Sequence, residues 1–250
     1  MVGMKALLLD LDGTLAETEE FHREAFNRTF ARWGLPLFWD QEAYARLLTT
    51  PGGKERMARA LAECPACPSL TPEEVARLHR EKGEVFAELL RTQGVALRPG
   101  VRRLLEEARA AGIPLALCTT ASPESAQLFL EVTGLSPFFS LVLAGEVVPR
   151  KKPDPGIYLL ARARLGLGPG EGVVVEDSQS GLLAALGAGL PVVATPSLYT
   201  RGQDFRRATA LLPHLGEPSA PAPVLQGPWA GERVVVDLAY LEEVRAWWST

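Results

Sequence analysis

Short apolar runs recur along the chain at residues 6–9, 115–118, 139–143, 173–175 and 192–194, each rich in Val or Leu. Runs of this length and composition predict strands buried on both faces of a parallel sheet. Between most of them the apolar spacing lengthens to that of a helix. Over residues 101–111, Val101, Leu104, Leu105 and Ala108 share one face, and Gly112 marks the stop. Ser122 before Pro123 predicts an N-cap and a first helical residue, and Asp154 before Pro155 repeats the device. Strand–helix alternation of this kind predicts an α/β fold, a doubly wound parallel sheet with right-handed crossovers.

One stretch breaks the alternation. From residue 18 to about 93 the pattern is helical throughout, with segments predicted at 20–33, 41–48, 54–61 and 72–90 and joints at 34–36, 51–53 and 64–68. Thr71 with Glu74 forms a capping box that opens the last of these segments. An all-helical block inserted after the first strand is expected to form a small cap over the carboxyl end of that strand. The division predicted is a core of residues 1–17 and 96–250 with a cap at 18–95. Residues 213–231, rich in Pro, Gly and Ala, are expected to be irregular, followed by a strand at 233–236 and a helix at 238–248.

Composition narrows the function classes. The 250 residues are 47% hydrophobic and 22% charged, enough for an ordinary core. A formal charge of −4 with scattered Lys and Arg argues against nucleic acid as a partner, because backbone phosphates require a basic stripe. No apolar run approaches the roughly 20 residues of a membrane span, and the first apolar stretch ends in acids instead of a cleavage site. A cytoplasmic address is therefore expected. Three cysteines do not make a disulfide framework. Cys64 and Cys67 form a C-x-x-C in a Pro-rich joint, away from any strand–helix turn, and are read as two loop thiols.

The candidate chemistry sits at the strand ends. Asp10 and Asp12 leave the first strand on the same side, and Gly13 permits a sharp turn after them. One carboxylate would serve as a cap; two at the end of an apolar strand repel unless a cation lies between them. Thr119 and Thr120 follow the second strand, where a hydroxyl and free N–H groups suit a phosphate. Lys152, fixed by Pro153, follows the third. Glu176 and Asp177 follow the fourth, and hard Mg²⁺ favours a few such carboxylates.

In order, residue type and placement these elements resemble the haloacid dehalogenase-like hydrolase superfamily, and the inserted helices resemble its helical cap. The resemblance implies a phosphoric monoester hydrolase. Asp10 would attack phosphorus and form an aspartyl-phosphate, and Asp12 would act as acid and then base. Mg²⁺ would be held by Asp10, the backbone carbonyl of Asp12 and Asp177, with Glu176 in support. Thr119, the Thr120 N–H and Lys152 would bind the transferring phosphoryl oxygens.

The stretches around Glu17 and His22, residues 52–56, 145–154 and 194–200 are similar to the CbbY branch of that superfamily, kin of β-phosphoglucomutase and phosphoglycolate phosphatase. The branch implies a sugar-phosphate substrate, with xylulose 1,5-bisphosphate favoured. Glu17 and His22 would face the substrate, and the loop with Gly53 and Lys54 would set specificity. Lys54 and Lys82 would bind a second phosphate, against the alternative that Lys82, Arg56 and Arg59 are solvated helix charges. Gly156 departs from the acidic residue usual after Pro155. A phosphomutase or a phosphoglycolate phosphatase-like hydrolase is the alternative enzyme; a non-catalytic phosphate binder is disfavoured by intact Asp10, Asp12, Lys152 and Asp177. A monomer or weak homodimer is expected.

Overall fold

The computed structural model describes residues 3–50 and 52–248. The first strand, β1 (Ala6–Leu9), leads through a tight turn into four helices, α1 (Glu19–Arg32), α2 (Gln41–Leu47), α3 (Gly53–Ala62) and α4 (Pro72–Gln93). The chain then alternates: α5 (Val101–Ala110), β2 (Leu115–Thr119), α6 (Pro123–Thr133), β3 (Leu141–Ala144), α7 (Gly156–Leu165), β4 (Gly172–Glu176), α8 (Gln179–Gly187) and β5 (Val192–Ala194). It ends with β6 (Ala210–Leu211), β7 (Ala222–Pro223), β8 (Arg233–Val234) and α9 (Leu238–Trp248). No helix among the described residues is long and apolar enough to cross a membrane.

The main sheet is six-stranded and parallel, in the order β3-β2-β1-β4-β5-β6. The order reverses between β1 and β4, the switch point at which α/β sheets open a crevice beyond their carboxyl ends. Register carries chemistry to that point. Leu9 is level with Leu117 on one side and Val175 on the other, so Asp10, Cys118 and Glu176 come next in the same row. Both faces of β1 are buried: Leu7 and Leu9 join the cluster under α5, α6 and α9, while Ala6 and Leu8 join the one under α7 and α8.

The inserted helices have a core of their own, built from Phe26, Phe30, Trp39, Tyr44, Met57, Leu61 and Leu78. They are also seated on the sheet layer, because Ala25, Val85, Phe86, Leu89 and Leu90 pack into the same cluster as Leu11 and Leu15. The two crossings between core and helices run side by side. Ala16 bridges to Leu97 in antiparallel fashion, and the Arg98 N–H donates to the Leu15 carbonyl at 2.9 Å.

The capping box at Thr71 and Glu74 forms as expected, and so does the Ser122 cap. Other expectations shift. The helix expected from Pro155 starts at Gly156, because Asp154 Oδ1 accepts the Gly156 N–H at 2.9 Å and leaves Pro155 outside. β3 starts at Leu141, since residues Ser136–Phe138 form a 3₁₀ turn that buries Phe138. β6 and β7 escape a reading by pattern because each is two residues long. The strand expected at 233–236 is confined to Arg233–Val234, paired with β7 inside the stretch expected to be irregular. Of the joint at 51–53, Pro51 lies outside the described residues; Gly53 already begins α3. Cys64 and Cys67 are not free thiols but a disulfide, the Cys67 N–H donating to the Cys64 carbonyl in a turn that brings the Cα atoms to 5.3 Å.

Phe30 is fully buried in the helical core. Phe30→Ala is expected to cost about 3–5 kcal/mol, read as a lower denaturation midpoint at unchanged slope. A loss below about 1 kcal/mol would mean that this cluster does not hold the helices together.

Candidate active site

At the switch point three carboxyl groups and one ammonium are buried together. Ligand oxygens of Asp10, Glu176 and Asp177 all lie within 4.8 Å of one another. Lys152, 4% exposed, donates to Asp10 Oδ1 at 2.7 Å, Glu176 Oε1 at 2.6 Å and the Cys118 carbonyl at 2.8 Å. All three ammonium protons are thereby engaged. Burial alone would depress this lysine, but Asp10 and Glu176 outweigh it and raise its pKa above the ordinary value. Asp10 is pushed well above the carboxylate range by burial, against the pull of Lys152 and with the push of Glu176 and Asp177.

Each member is fixed by its neighbours. The Asp10 N–H donates to the Val175 carbonyl at 3.1 Å, tying the end of β1 to β4. Glu176 has no free oxygen: besides Lys152, Oε1 accepts the Tyr158 hydroxyl at 2.7 Å, and Oε2 accepts the Asp177 N–H at 3.2 Å and the Ser178 hydroxyl at 3.3 Å. A side chain at Gly181 would overlap that carboxylate, so the first turn of α8 must be bare there. Asp177 accepts the Thr200 hydroxyl at 3.1 Å. Its pKa is raised to about 8, by burial first and Glu176 second. Gly13 turns with φ of +80°, and a Cβ there would overlap Asp177, so two constraints select glycine at this turn.

Three buried carboxyls against one lysine leave negative charge without a counter-charge. Oxygen donors, close spacing and that deficit fit a hard divalent cation. The Asp12 carboxylate is not among these oxygens. It accepts the Thr18 hydroxyl at 2.5 Å and meets His22 Nε2 at 3.2 Å. On the far side of the ring, Lys82 Nζ lies 2.6 Å from His22 Nδ1, and the ring stacks on Phe86 at 4.0 Å. Burial lowers the His22 pKa, so the ring is neutral, accepts from Lys82 at Nδ1 and donates its Nε2–H to Asp12. Asp12 is itself held below its ordinary pKa, because His22 and Thr18 outweigh its burial. Burial, with repulsion from Arg56, brings Lys82 down to about 7.

The other expected residues are placed unevenly. Thr119 is buried at the end of β2 and accepts the Ala121 N–H at 3.0 Å; Thr120 is half-buried beside it. His22 reaches Asp12, and Lys82 reaches His22. Gly53 starts α3 against His79, while Lys54 is exposed on its first turn. The neighbouring Glu55 instead pairs at 2.7 Å with Lys151, next to the buried lysine. Glu17 is exposed and faces the core: Oε2 accepts the Leu198 N–H at 3.1 Å and Oε1 lies 3.4 Å from Arg98. Lys82 and Arg56 are not solvated helix charges: Lys82 is 6% exposed, and Arg56 Nε is buried without a hydrogen-bond partner. Arg59, by contrast, is exposed and pairs with Glu63. Tyr158, Ser178, Thr200 and Arg98 support the site without having been singled out. The signal lay in spacing for Ser178, beside Asp177; the others are brought in only by the fold.

A family model described as haloacid dehalogenase-like hydrolase matches residues 4–189. The chain is 46% identical to the protein CbbY of Cereibacter sphaeroides over 217 residues, covering 86% of this chain and 94% of that one. It is 35% identical to the phosphorylated carbohydrates phosphatase of Thermotoga maritima over 187 residues, 75% of this chain and 82% of that one. Its structure is similar to that of a CbbY mutant from Rhodobacter sphaeroides in complex with xylulose 1,5-bisphosphate. The TM-score is 0.81 at 44% identity, covering 86% of this chain and 98% of that one. Sheet order, inserted helices and buried acidic centre agree with these matches: the chain belongs to the haloacid dehalogenase-like hydrolases, with the CbbY proteins as relatives.

Proposed function

We propose that this hydrolase is a Mg²⁺-dependent phosphatase of a small sugar phosphate, with xylulose 1,5-bisphosphate as the favoured substrate. The observation that carries the reading is the Asp10–Lys152–Asp177 centre at the switch point, with His22 and Lys82 of the helical block linked to the neighbouring Asp12. The similarity to a CbbY structure holding that bisphosphate supports the choice of substrate.

In this reading residues 18–95 act as the cap. Asp10 attacks phosphorus, the bond to the leaving oxygen breaks, and an aspartyl-phosphate forms. Asp10, Asp177 and the Asp12 carbonyl would hold Mg²⁺, with Glu176 in support, and the cation would offset charge on the phosphoryl oxygens. Thr119 and the Thr120 N–H bind those oxygens, and the Lys152 charge, held beside Asp10, offsets theirs. Asp12 is ionised at rest. A proton passes from Lys82 through His22 to Asp12 and on to the leaving alcohol. Asp12 then takes a proton from the water that attacks the aspartyl-phosphate, and the relay returns it to Lys82.

Arg56 is the residue we assign to the second phosphate, Lys82 being engaged with His22 in the relay. Lys82 is buried and Arg56 half-buried with its Nε enclosed, neither forms an ion pair among the described residues, and Arg56 stacks its guanidinium over Tyr44 at 5.5 Å. A half-buried guanidinium without an ion pair in the cap suits a dianion that the substrate brings. Lys54, exposed, has the weaker claim.

Phosphate release from xylulose 1,5-bisphosphate, xylulose 5-phosphate and an aryl phosphate tests the reading. The bisphosphate is expected to react fastest, and Asp10→Asn to lower every rate by about a thousandfold or more. Arg56→Met is expected to lower kcat/KM for the bisphosphate alone, by about 10- to 100-fold. Equal rates on mono- and bisphosphates would remove the second-phosphate site; isomer formation without free phosphate would make the enzyme a mutase.

The raised pKa of Asp177, about 8, gives Mg²⁺ binding a definite pH dependence. Below that pH the carboxyl is protonated, so binding must expel a proton. Affinity for Mg²⁺ is therefore expected to fall by up to about tenfold per unit as pH drops from 8 to 6. Calorimetry in buffers of different ionisation enthalpy reads the released proton; no release at pH 7 would contradict this placement of the cation.

A further inference from the structure

Arg98 stands on the second crossing between core and cap and is 9% exposed. Its guanidinium spreads over the carbonyls of four residues from three segments far apart in sequence. Nη1 donates to Gly13 and, at 2.6 Å, to Thr195; Nη2 donates to Pro196 at 2.9 Å and Pro213 at 2.7 Å. Glu17, at 3.4 Å, is its ion-pair partner among the described residues.

Those carbonyls belong to the backbone that frames Asp177. The Gly13 carbonyl lies in the turn that starts at Asp12, and Gly13 itself abuts the Asp177 carboxylate, with no room for a Cβ between them. The Thr195 N–H donates to the Glu176 carbonyl at 2.7 Å. One residue beyond Pro196, Ser197 donates its N–H at 2.8 Å to the Thr200 hydroxyl, which in turn donates to Asp177. Arg98 and Asp177 also attract one another by charge. The guanidinium thus grips the two backbone segments that meet at Asp177 Oδ2. A lysine has the charge but not the fork, and cannot satisfy carbonyls spread in this way.

We propose that Arg98 is a positioning residue for the reaction: by joining the Gly13 turn to the loop after β5 it sets the orientation in which Asp177 receives the cation. The inference rests on the proposed cation site and extends it to a residue that touches neither substrate nor cation. It also explains why a buried positive charge is placed on a cap crossing. The catalytic turn is anchored to the core at the point where the cap is attached, so motion of the helices need not disturb Asp10 and Asp12.

The test compares wild type, Arg98→Lys and Arg98→Gln in three readouts: Tm without metal, the calorimetric Kd for Mg²⁺, and kcat against Mg²⁺ concentration. Arg98→Gln provides the reading if the lysine variant does not fold. In a folded variant the Kd is expected to weaken by about 10- to 100-fold, as when groups that orient metal ligands are removed elsewhere. Saturating Mg²⁺ is expected to restore most of kcat. A folded variant with lowered Tm but Kd within twofold of wild type would overturn the proposal and leave Arg98 a plain staple. Failure of the wild-type protein to bind Mg²⁺ would overturn the cation site itself, and this inference with it.

Discussion

The Lys152 ammonium, buried between Asp10, Glu176 and the Cys118 carbonyl, is the contact on which the centre of this molecule depends. Asp10, Glu176 and Asp177 crowd within 4.8 Å. Two like charges about 4 Å apart repel by about 4 kcal/mol at an effective dielectric constant of 20, so this crowding is tolerable only with counter-charge inside it. Lysine supplies one unit. The remaining negative charge is met in part by protonation, which is why Asp177 is raised to about 8, and it leaves a place for a divalent cation. Fold and chemistry meet here: β1, β4 and the loop before α7 each deliver one party to the contact, and displacing any one leaves a buried charge unpaired.

Around that contact the supporting parts are mostly backbone and small residues. Gly13 and Gly181 leave space for the Asp177 and Glu176 carboxylates, and Tyr158 and Ser178 occupy the remaining acceptor sites of Glu176. The helical block contributes differently. Through α1 and α4 it brings His22 and Lys82 to Asp12, and through α3 it brings a half-buried Arg56 without an ion pair among the described residues. The core half of the site is dominated by carboxylates and the cap half by cations. This division matches a substrate whose reacting phosphate meets the acidic centre and whose other end needs neutralising.

Much of the core was legible because strand ends are legible. Short apolar runs followed by Asp10, Thr119 and Glu176 put the candidate chemistry at the strand ends, and a parallel sheet aligns such ends by register. Lys152 was legible through the proline that follows it. What stayed hidden depends on contacts remote in sequence. Arg98 gives no local signal, because its partners at Gly13, Thr195, Pro196 and Pro213 are brought to it only by the closed fold. Arg56 reads as an ordinary charge on an amphipathic helix, and the choice at Lys82 between phosphate binder and solvated charge turns on its packing against Phe26 and Phe86. Glu17 was expected at the substrate and faces Leu198 and Arg98, a difference of side-chain direction that spacing does not encode. The Cys64–Cys67 bond likewise follows from the local turn, not from cysteine count.

The central proposal is that Asp10 carries the phosphoryl group, and trapping it on the protein tests that most directly. Enzyme mixed with xylulose 1,5-bisphosphate and Mg²⁺ is quenched within one turnover, reduced with borohydride and mapped by mass spectrometry. The account predicts conversion of Asp10, and of no other carboxylate, to the reduced homoserine form. Phosphate release with no reducible acyl group, or with the mark on Asp12 or Asp177, would contradict it.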